Sequence, residues 1–351
     1  MRAGIGSQPW VGLDIGSFSV KVVAVQTGVA GTRYWSAESG YPVPDEDGER
    51  RLTPEGISRA VVEVLSQVEL APRSVGGMSL GVSGPDVIVK QITMPLIDDA
   101  ELSSALRFEA RKHLPFDPQT MALDFQVLKR DAEEHKSDLL LAAVARDRME
   151  RHLAPLKMLG IDPEIVDATP LALANAVTRN GSDPGISVLL DIGSTSSHLV
   201  IHHREQPFFA RRFEFGGRTL SRAIAQSLKI PFGEAERRKV QIGRQDRLLG
   251  GDWESPEGRA VAESLQHDLV EEVVRSIAFY RTQAHFADLP RLWLSGGTAR
   301  LAGIAPRLGE MLGVAVEVFD PFGPMASTKA GTTPPSGPHY AQAFGLAMRA
   351  P

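Results

Sequence analysis

Apolar residues along this chain fall into short runs that switch between a two-residue and a helical period. Val11 to Ile15 is a compact apolar run, Gly16 and Ser17 interrupt it, and Val20, Val22 and Val25 follow. That pattern predicts two strands joined at a polar tip. Further strands are expected near Met78–Val82, Val87–Thr93, Leu123–Leu128, Asp138–Val144, Phe208–Phe213 and Arg291–Leu294. Helical spacing appears over Pro54–Glu69, Asp98–His113, Arg146–Leu159, Pro170–Arg179, from Gly217, and along Pro256–Phe286. The Asp98 helix starts with a capping-box pairing of Asp98 and Glu101 and stops before Pro115. Its stripe of Leu102, Ala105, Leu106 and Ala110 is expected to pack on a sheet.

The hairpin pattern occurs twice. VGLDIGSFSVKVVAV from Val11 overlays VLLDIGSTSSHLVIH from Val188, so Asp-Ile-Gly-Ser-x-Ser recurs about half a chain apart. Duplication of one structural unit is the simplest account, and it predicts two related lobes. Small residues at each tip let backbone approach a ligand closely, and their N–H and hydroxyl groups suit phosphate oxygens. An aspartate ends the first strand of each hairpin, Asp14 and Asp191, where a carboxylate suits a Mg²⁺ that keeps most of its waters. A third glycine-rich junction, Ser295, Gly296, Gly297 and Thr298, follows the strand ending at Leu294 and precedes apolar Leu301, Ile304 and Leu308. Exposed backbone there can lie against a flat ring or a phosphate.

With 351 residues the chain is long enough for two domains, and 42% hydrophobic with 23% charged residues is ordinary for a folded protein. A net charge of -5 argues against nucleic acid or an acidic membrane as the main partner. The run Arg237, Arg238, Lys239 is offset by Glu234 and Glu236 and reads as a solvated helix face. Absence of cysteine removes disulfides, thiolate metal sites and a cysteine nucleophile. The first ten residues carry no secretory signal, so a cytoplasmic location is expected. The longest apolar run, Leu139–Ala145, is far shorter than the roughly 20 residues of a spanning helix, so contact with a membrane is expected only through a partner. Four residues of strand, as from His198 to His202, span roughly 13 Å, too far for one ion, so His198, His202 and His203 read as ordinary strand residues. No P-loop, zinc-binding or nucleophile-elbow motif is present.

These elements, in this order, resemble the superfamily of actin, sugar kinases and DnaK-type chaperones. GLDIGSFSVKVV resembles its first phosphate loop, LLDIGSTSSHLVI its second, LWLSGGTARLAGI its adenosine loop, and AERRK at Ala235–Lys239 its ribose-and-base contact. The resemblance implies an α/β, actin-like (RNase H-like) two-lobed fold that closes on Mg-ATP. It assigns Asp14 and Asp191 to Mg²⁺, and Gly16, Ser17, Ser19, Lys21, Gly193, Ser194 and Thr195 to the phosphates. Gly216, Gly217, Glu236, Lys239, Gly296, Gly297 and Thr298 would surround the nucleoside. The opening of the helix at Thr169, Pro170, Leu171, Ala172 resembles the chaperone Glu-Pro-x-Ala segment with threonine in place of the carboxylate. Slow hydrolysis follows, because threonine is no general base at neutral pH, with Asp167 as the substitute candidate.

Outside the ATP motifs, the chain is similar to the PilM family of type IV pilus assembly over nearly its full length. ALRFEARKHLPFDPQTMALDFQVL, FEFGGRTLSRAIA with AERRK, and VFDPF with the final YAQAFGLAMR carry that similarity. It implies a first-lobe core over 1–84, an inserted FtsA/PilM-type subdomain over 85–165, and a connecting helix over 166–180. A second lobe over 181–330 and a C-terminal helix over 338–351, packing back on the first lobe, complete it. The polar Asp45–Arg51 and the Pro/Gly-rich Ala330–Pro338 read as loops. The implied partner is the N-terminal cytoplasmic peptide of a PilN-like membrane protein, holding the chain at the inner membrane. The related FtsA family ends in an amphipathic membrane helix, whereas the last helix here is alanine-rich. A small-molecule kinase of the same superfamily would need a second-substrate signature, and none is readable.

Overall fold

The computed structural model describes residues 8–28, 31–41, 52–71, 75, 77–179, 186–203, 206–245, 253, 255–284, 291–323 and 336–349. The loop expected at Asp45–Arg51 and residues 330–335 of the expected linker lie outside them.

Two five-stranded sheets carry the duplication into three dimensions. In the first, β1 (Trp10–Ile15), β2 (Ser19–Gly28), β3 (Gly31–Gly40), β4 (Gly77–Val82) and β8 (Ile165–Ala168) lie in the order β3-β2-β1-β4-β8. In the second, β9 (Ile186–Ile192), β10 (Ser197–His203), β11 (Gln206–Phe213), β12 (Leu292–Ser295) and β13 (Val316–Val318) repeat it as β11-β10-β9-β12-β13. Each sheet has an antiparallel meander followed by two parallel strands. This is the actin-like architecture expected from the sequence.

Three edge strands escape the pattern reading. β8 and β13 are too short to establish a period, and β3 is partly exposed on both faces. The other boundaries shift by only a few residues.

Helix α1 (Pro54–Gln67) starts with Thr53 accepting from the Gly56 N–H and a proline in its first turn. It lays Ala60, Val61, Val64 and Leu65 on Val11, Leu13, Val20 and Val22 of the first sheet. Between β4 and β8 runs the insertion: β5 (Val87–Pro95), α2 (Asp99–Glu109), β6 (Met121–Asp131) and β7 (Lys136–Ala145), with its own sheet β5-β7-β6. Leu102, Leu106 and Ala110 pack on Ile92, Met94, Leu139 and Leu141, so the α2 stripe faces a sheet as expected. The capping box does not form. Asp98 is the N-cap, but its side chain makes no cap hydrogen bond, and the turn closes from the Glu101 N–H to the Asp98 carbonyl at 3.0 Å. Helix α3 (Arg146–Met158) follows β7, yet its Leu156 joins the first-lobe core rather than the core of the insertion.

On the second sheet pack α5 (Gly217–Leu228), α6 (Phe232–Gln245), α7 (Pro256–Ser264), α8 (Glu271–Ala284) and α9 (Ile304–Leu312). The single helix expected over Pro256–Phe286 is divided by a π-helical turn at Leu265–Val270.

Two helices lie between the lobes: α4 (Thr169–Arg179), which continues directly from β8, and α10 (Ala341–Ala347). Leu173, Ala174 and Val177 of α4 share a core with Val23 of the first sheet, Leu189 and Val200 of the second, and Phe344 of α10. Glycine makes the approach possible. A Cβ on Gly345 would overlap the Ala172 carbonyl, and one on Gly12 would overlap the α10 backbone at Ala343 and Ala347. Asn175 donates to the Gly345 carbonyl at 2.6 Å, locking the crossing.

Candidate functional site

The two hairpins put their polar tips face to face. Both turns close with the same bond, Gly16 N–H to the Ser19 carbonyl and Gly193 N–H to the Ser196 carbonyl, each 3.1 Å. Across the gap Ser17 Oγ lies 3.0 Å from Thr195 Oγ1. A cavity of about 750 Å³ opens beside the tips, lined by both of them, by Gly217, Glu236 and Lys239, and by Gly296–Thr298.

Strand register brings the acidic residues to its floor. Asp14 pairs with Lys21 across the first hairpin, and Asp191 pairs with His198 across the second. Lys21 Nζ donates to Asp14 Oδ2 at 3.3 Å. Burial works to lower the Lys21 pKa, but Asp14, Glu38 and Asp191 outweigh it and hold the ammonium above its usual range. Asp191 is buried and accepts from Ser295 Oγ at 2.9 Å. Burial, reinforced by the charge of Asp14, pushes its pKa up to about 6 despite the serine and Lys21. Among the described residues no group of three or more His, Cys, Asp or Glu forms a metal cage. The two carboxylates lining the cavity instead fit a hard cation that takes its remaining ligands from water and substrate.

The far wall is built around a buried ion pair. Lys239 Nζ donates to Glu236 Oε2 at 2.9 Å and to the Gly217 carbonyl at 2.6 Å, and Ser221 Oγ donates to Glu236 at 2.6 Å. Burial lowers the Lys239 pKa against the pull of Glu236. Lys239 therefore does not belong to a solvated face. Only Arg237 and Arg238 are exposed, and Arg238 pairs with Glu234. Thr298 Oγ1 donates to the Gly193 carbonyl at 3.1 Å, tying the third loop to the second. A Cβ on Gly217 would stand 2.9 Å from Thr298 Oγ1 and 3.1 Å from Lys239 Nζ, so glycine keeps that wall open. Gly216 packs behind it on Ser194.

Over its sequence, the chain matches the family described as "Type IV pilus assembly protein PilM" across residues 12–351. The chain belongs to the PilM family. Its fold superimposes on a chain of a "PilM-PilN type IV pilus biogenesis complex" with TM-score 0.78, at 26% identity and covering 97% of each chain. It is also similar to the ethanolamine utilization protein EutJ from Carboxydothermus hydrogenoformans, with TM-score 0.53, 16% identity, and 96% and 88% of the two chains covered. At that identity only the fold is shared.

In this PilM-family chain the cleft also gathers residues that the motifs did not mark. Glu38, on β3, accepts from Ser19 Oγ at 2.7 Å and lies 3.7 Å from Arg300 and 3.6 Å from His339 Nε2. Burial drives the His339 pKa down to about 4, so the imidazole is neutral at pH 7, and its Nδ1 is buried without a hydrogen-bond partner. His198 is not an ordinary strand residue. It is buried in the cleft wall, where burial, helped by Arg212, lowers its pKa to about 4. The repeat carried the signal, because His198 occupies the position that Lys21 holds in the first copy. His202 and His203 share its strand, but their side chains lie outside what is described.

Asp167 is the expected site residue that the fold removes from the cleft. It is absent from the cavity wall, and its carboxylate instead meets Arg349 Nε at 3.0 Å. β8 runs along the edge of the sheet, and this side chain meets Arg349 just beyond α10 rather than the hairpin tips. Thr169 is likewise buried, donating to the Val82 carbonyl at 3.2 Å. No helix among the described residues is long and apolar enough to cross a membrane.

Proposed function

We propose that this pilus assembly protein is an ATP-binding adaptor that takes the N-terminal cytoplasmic peptide of a PilN-like membrane protein, and so works at the inner membrane. The meeting of the two hairpin tips over Asp14 and Asp191 is the observation that carries the nucleotide reading. Hydroxyls of Ser17 and Thr195, with the Lys21 ammonium, are placed to hold a polyphosphate, while Gly217 and Gly296–Thr298 leave room for the nucleoside. Asp14 and Asp191 would hold Mg²⁺, which when bound neutralises phosphate charge. The peptide reading rests on family membership and on the likeness to a chain from a complex that contains PilN.

Hydrolysis is slow in this reading. Neither Thr169 nor Asp167 lines the cleft, and Gln342, which does, can hydrogen-bond a water but cannot take its proton. Calorimetry with Mg-ATP and with the peptide, alone and together, tests the proposal alongside a phosphate-release assay. Tight nucleotide binding, peptide binding and slow turnover are expected. Sugar-dependent phosphoryl transfer, or no peptide binding in either nucleotide state, would overturn it.

A further inference from the structure

Helix α10 spans from the cleft to the outer edge of the first sheet. Its leading 3-10 turn, Pro338–Tyr340, accepts a hydrogen bond from Gly296 of the second lobe at the Pro338 carbonyl, 3.1 Å. His339 and Gln342 line the cavity, with His339 against Glu38 of the first lobe. The body of the helix is fully buried at Ala341, Ala343, Phe344, Leu346 and Ala347, and it has glycine-thin contacts on both sides. Ten residues beyond His339 and two past the end of α10, Arg349 Nε lies 3.0 Å from Asp167 of β8.

β8 is an edge strand of four residues, bonded on one side only among the described residues, with Val166 exposed. It has two attachments that reach the second lobe. It continues without a loop into α4, whose far face packs on Leu189 and Val200. Through Asp167 it also holds the end of α10. Asp167 is buried, with burial raising its pKa and the charge of Arg349 opposing that rise. Closely packed elements shift as bodies rather than deform, so a change in the angle between the lobes reaches β8 through both attachments.

We infer that α10 and the β8–α4 segment carry a nucleotide-driven change in the angle between the lobes to the edge of β8, with the Arg349–Asp167 ion pair as the joint between them. This rests on the nucleotide reading above and adds a route by which the cleft controls the edge strand of the first lobe.

Hydrogen–deuterium exchange on the full chain tests it, with and without Mg-ATP, in the wild type and in Arg349→Ala, Arg349→Lys and Asp167→Asn. Expected in the wild type is protection at Gly16–Ser19 and Gly193–Ser196, together with at least threefold slower exchange over Ile165–Ala168. In Arg349→Ala and Asp167→Asn the loops should be protected as before while the slowing at β8 drops below half, and Arg349→Lys should retain most of it. Arg349 is exposed and outside the cleft, so its loss leaves the nucleotide site intact. Protected loops with an unchanged β8 in the wild type would overturn the inference and leave nucleotide binding standing. Equal slowing in Arg349→Ala would remove the ion pair as the joint. Unprotected loops would overturn the nucleotide reading and the inference with it.

Discussion

Ser17 and Thr195 stand at the tips of hairpins from opposite halves of the chain, yet their hydroxyl oxygens are 3.0 Å apart. The chain has no cysteine, so thiols placed at these two positions would be the only ones in the protein. The double variant Ser17→Cys/Thr195→Cys should therefore cross-link on mild oxidation, read as a mobility shift on a non-reducing gel. Mg-ATP should slow the reaction several-fold, because phosphates between the tips hold them apart. Cross-linking at the same rate with saturating nucleotide would remove these tips from the phosphate site.

Asp14→Asn and Asp191→Asn should each weaken Mg-ATP binding by ~1.5–3 kcal/mol, the range for a lost charge-assisted contact. Calorimetry at pH 8 measures it, with circular dichroism to confirm the fold. Unchanged affinity in both would sink the assignment of these carboxylates to the metal.

Asp191 also gives the stability of the ligand-free protein a pH dependence of unusual sign. Its folded pKa is raised to about 6 from 3.8, so the native state holds the proton more tightly than the unfolded chain. The resulting penalty is absent below pH 3.8, grows as pH rises, and is complete above about 6, where it amounts to about 3 kcal/mol. Asp191→Asn, which keeps an acceptor for Ser295, should raise the melting temperature of the apo protein at pH 8 and lose that advantage near pH 4. In the wild type, Mg-ATP affinity should fall as pH drops through 6. A melting temperature unaffected by the substitution at pH 8 contradicts the buried carboxylate.

Gly345→Ala should lower stability by roughly 3 kcal/mol or more, since the added methyl has no space between α10 and the Ala172 carbonyl. Gly28→Ala, where a Cβ meets nothing within 4 Å, is the control and should leave the chemical-denaturation midpoint nearly unchanged. Similar midpoints for the two variants would mean that α10 does not cross α4 this closely.

By itself the sequence determined the duplication, the two hairpins and the third glycine-rich loop. Each is written in contiguous residues, where strand period, tip glycines and a terminal aspartate are local properties of the chain. The expected residues of the two hairpins then met in one cleft because the repeat forces equivalent positions onto equivalent strands, while Gly216 came to lie behind the wall and Asp167 outside it. His198 reads in the sequence as an ordinary strand residue, although the same overlay makes it the counterpart of Lys21 opposite the second aspartate.

Tertiary structure alone decided the rest. Glu38, Arg300 and His339 come from an edge strand, the third loop and the turn before α10, and no spacing in the sequence links them. Asp167 sits close to Thr169 in the chain, but the strand carrying it lies at the sheet edge, and pairing with Arg349 takes it out of the cleft. Lys239 looks solvated beside two arginines, yet helix α6 turns it inward onto Glu236. A side chain's face and partners depend on which elements pack together, and that packing rests on contacts between residues far apart in the chain, which a local pattern does not encode.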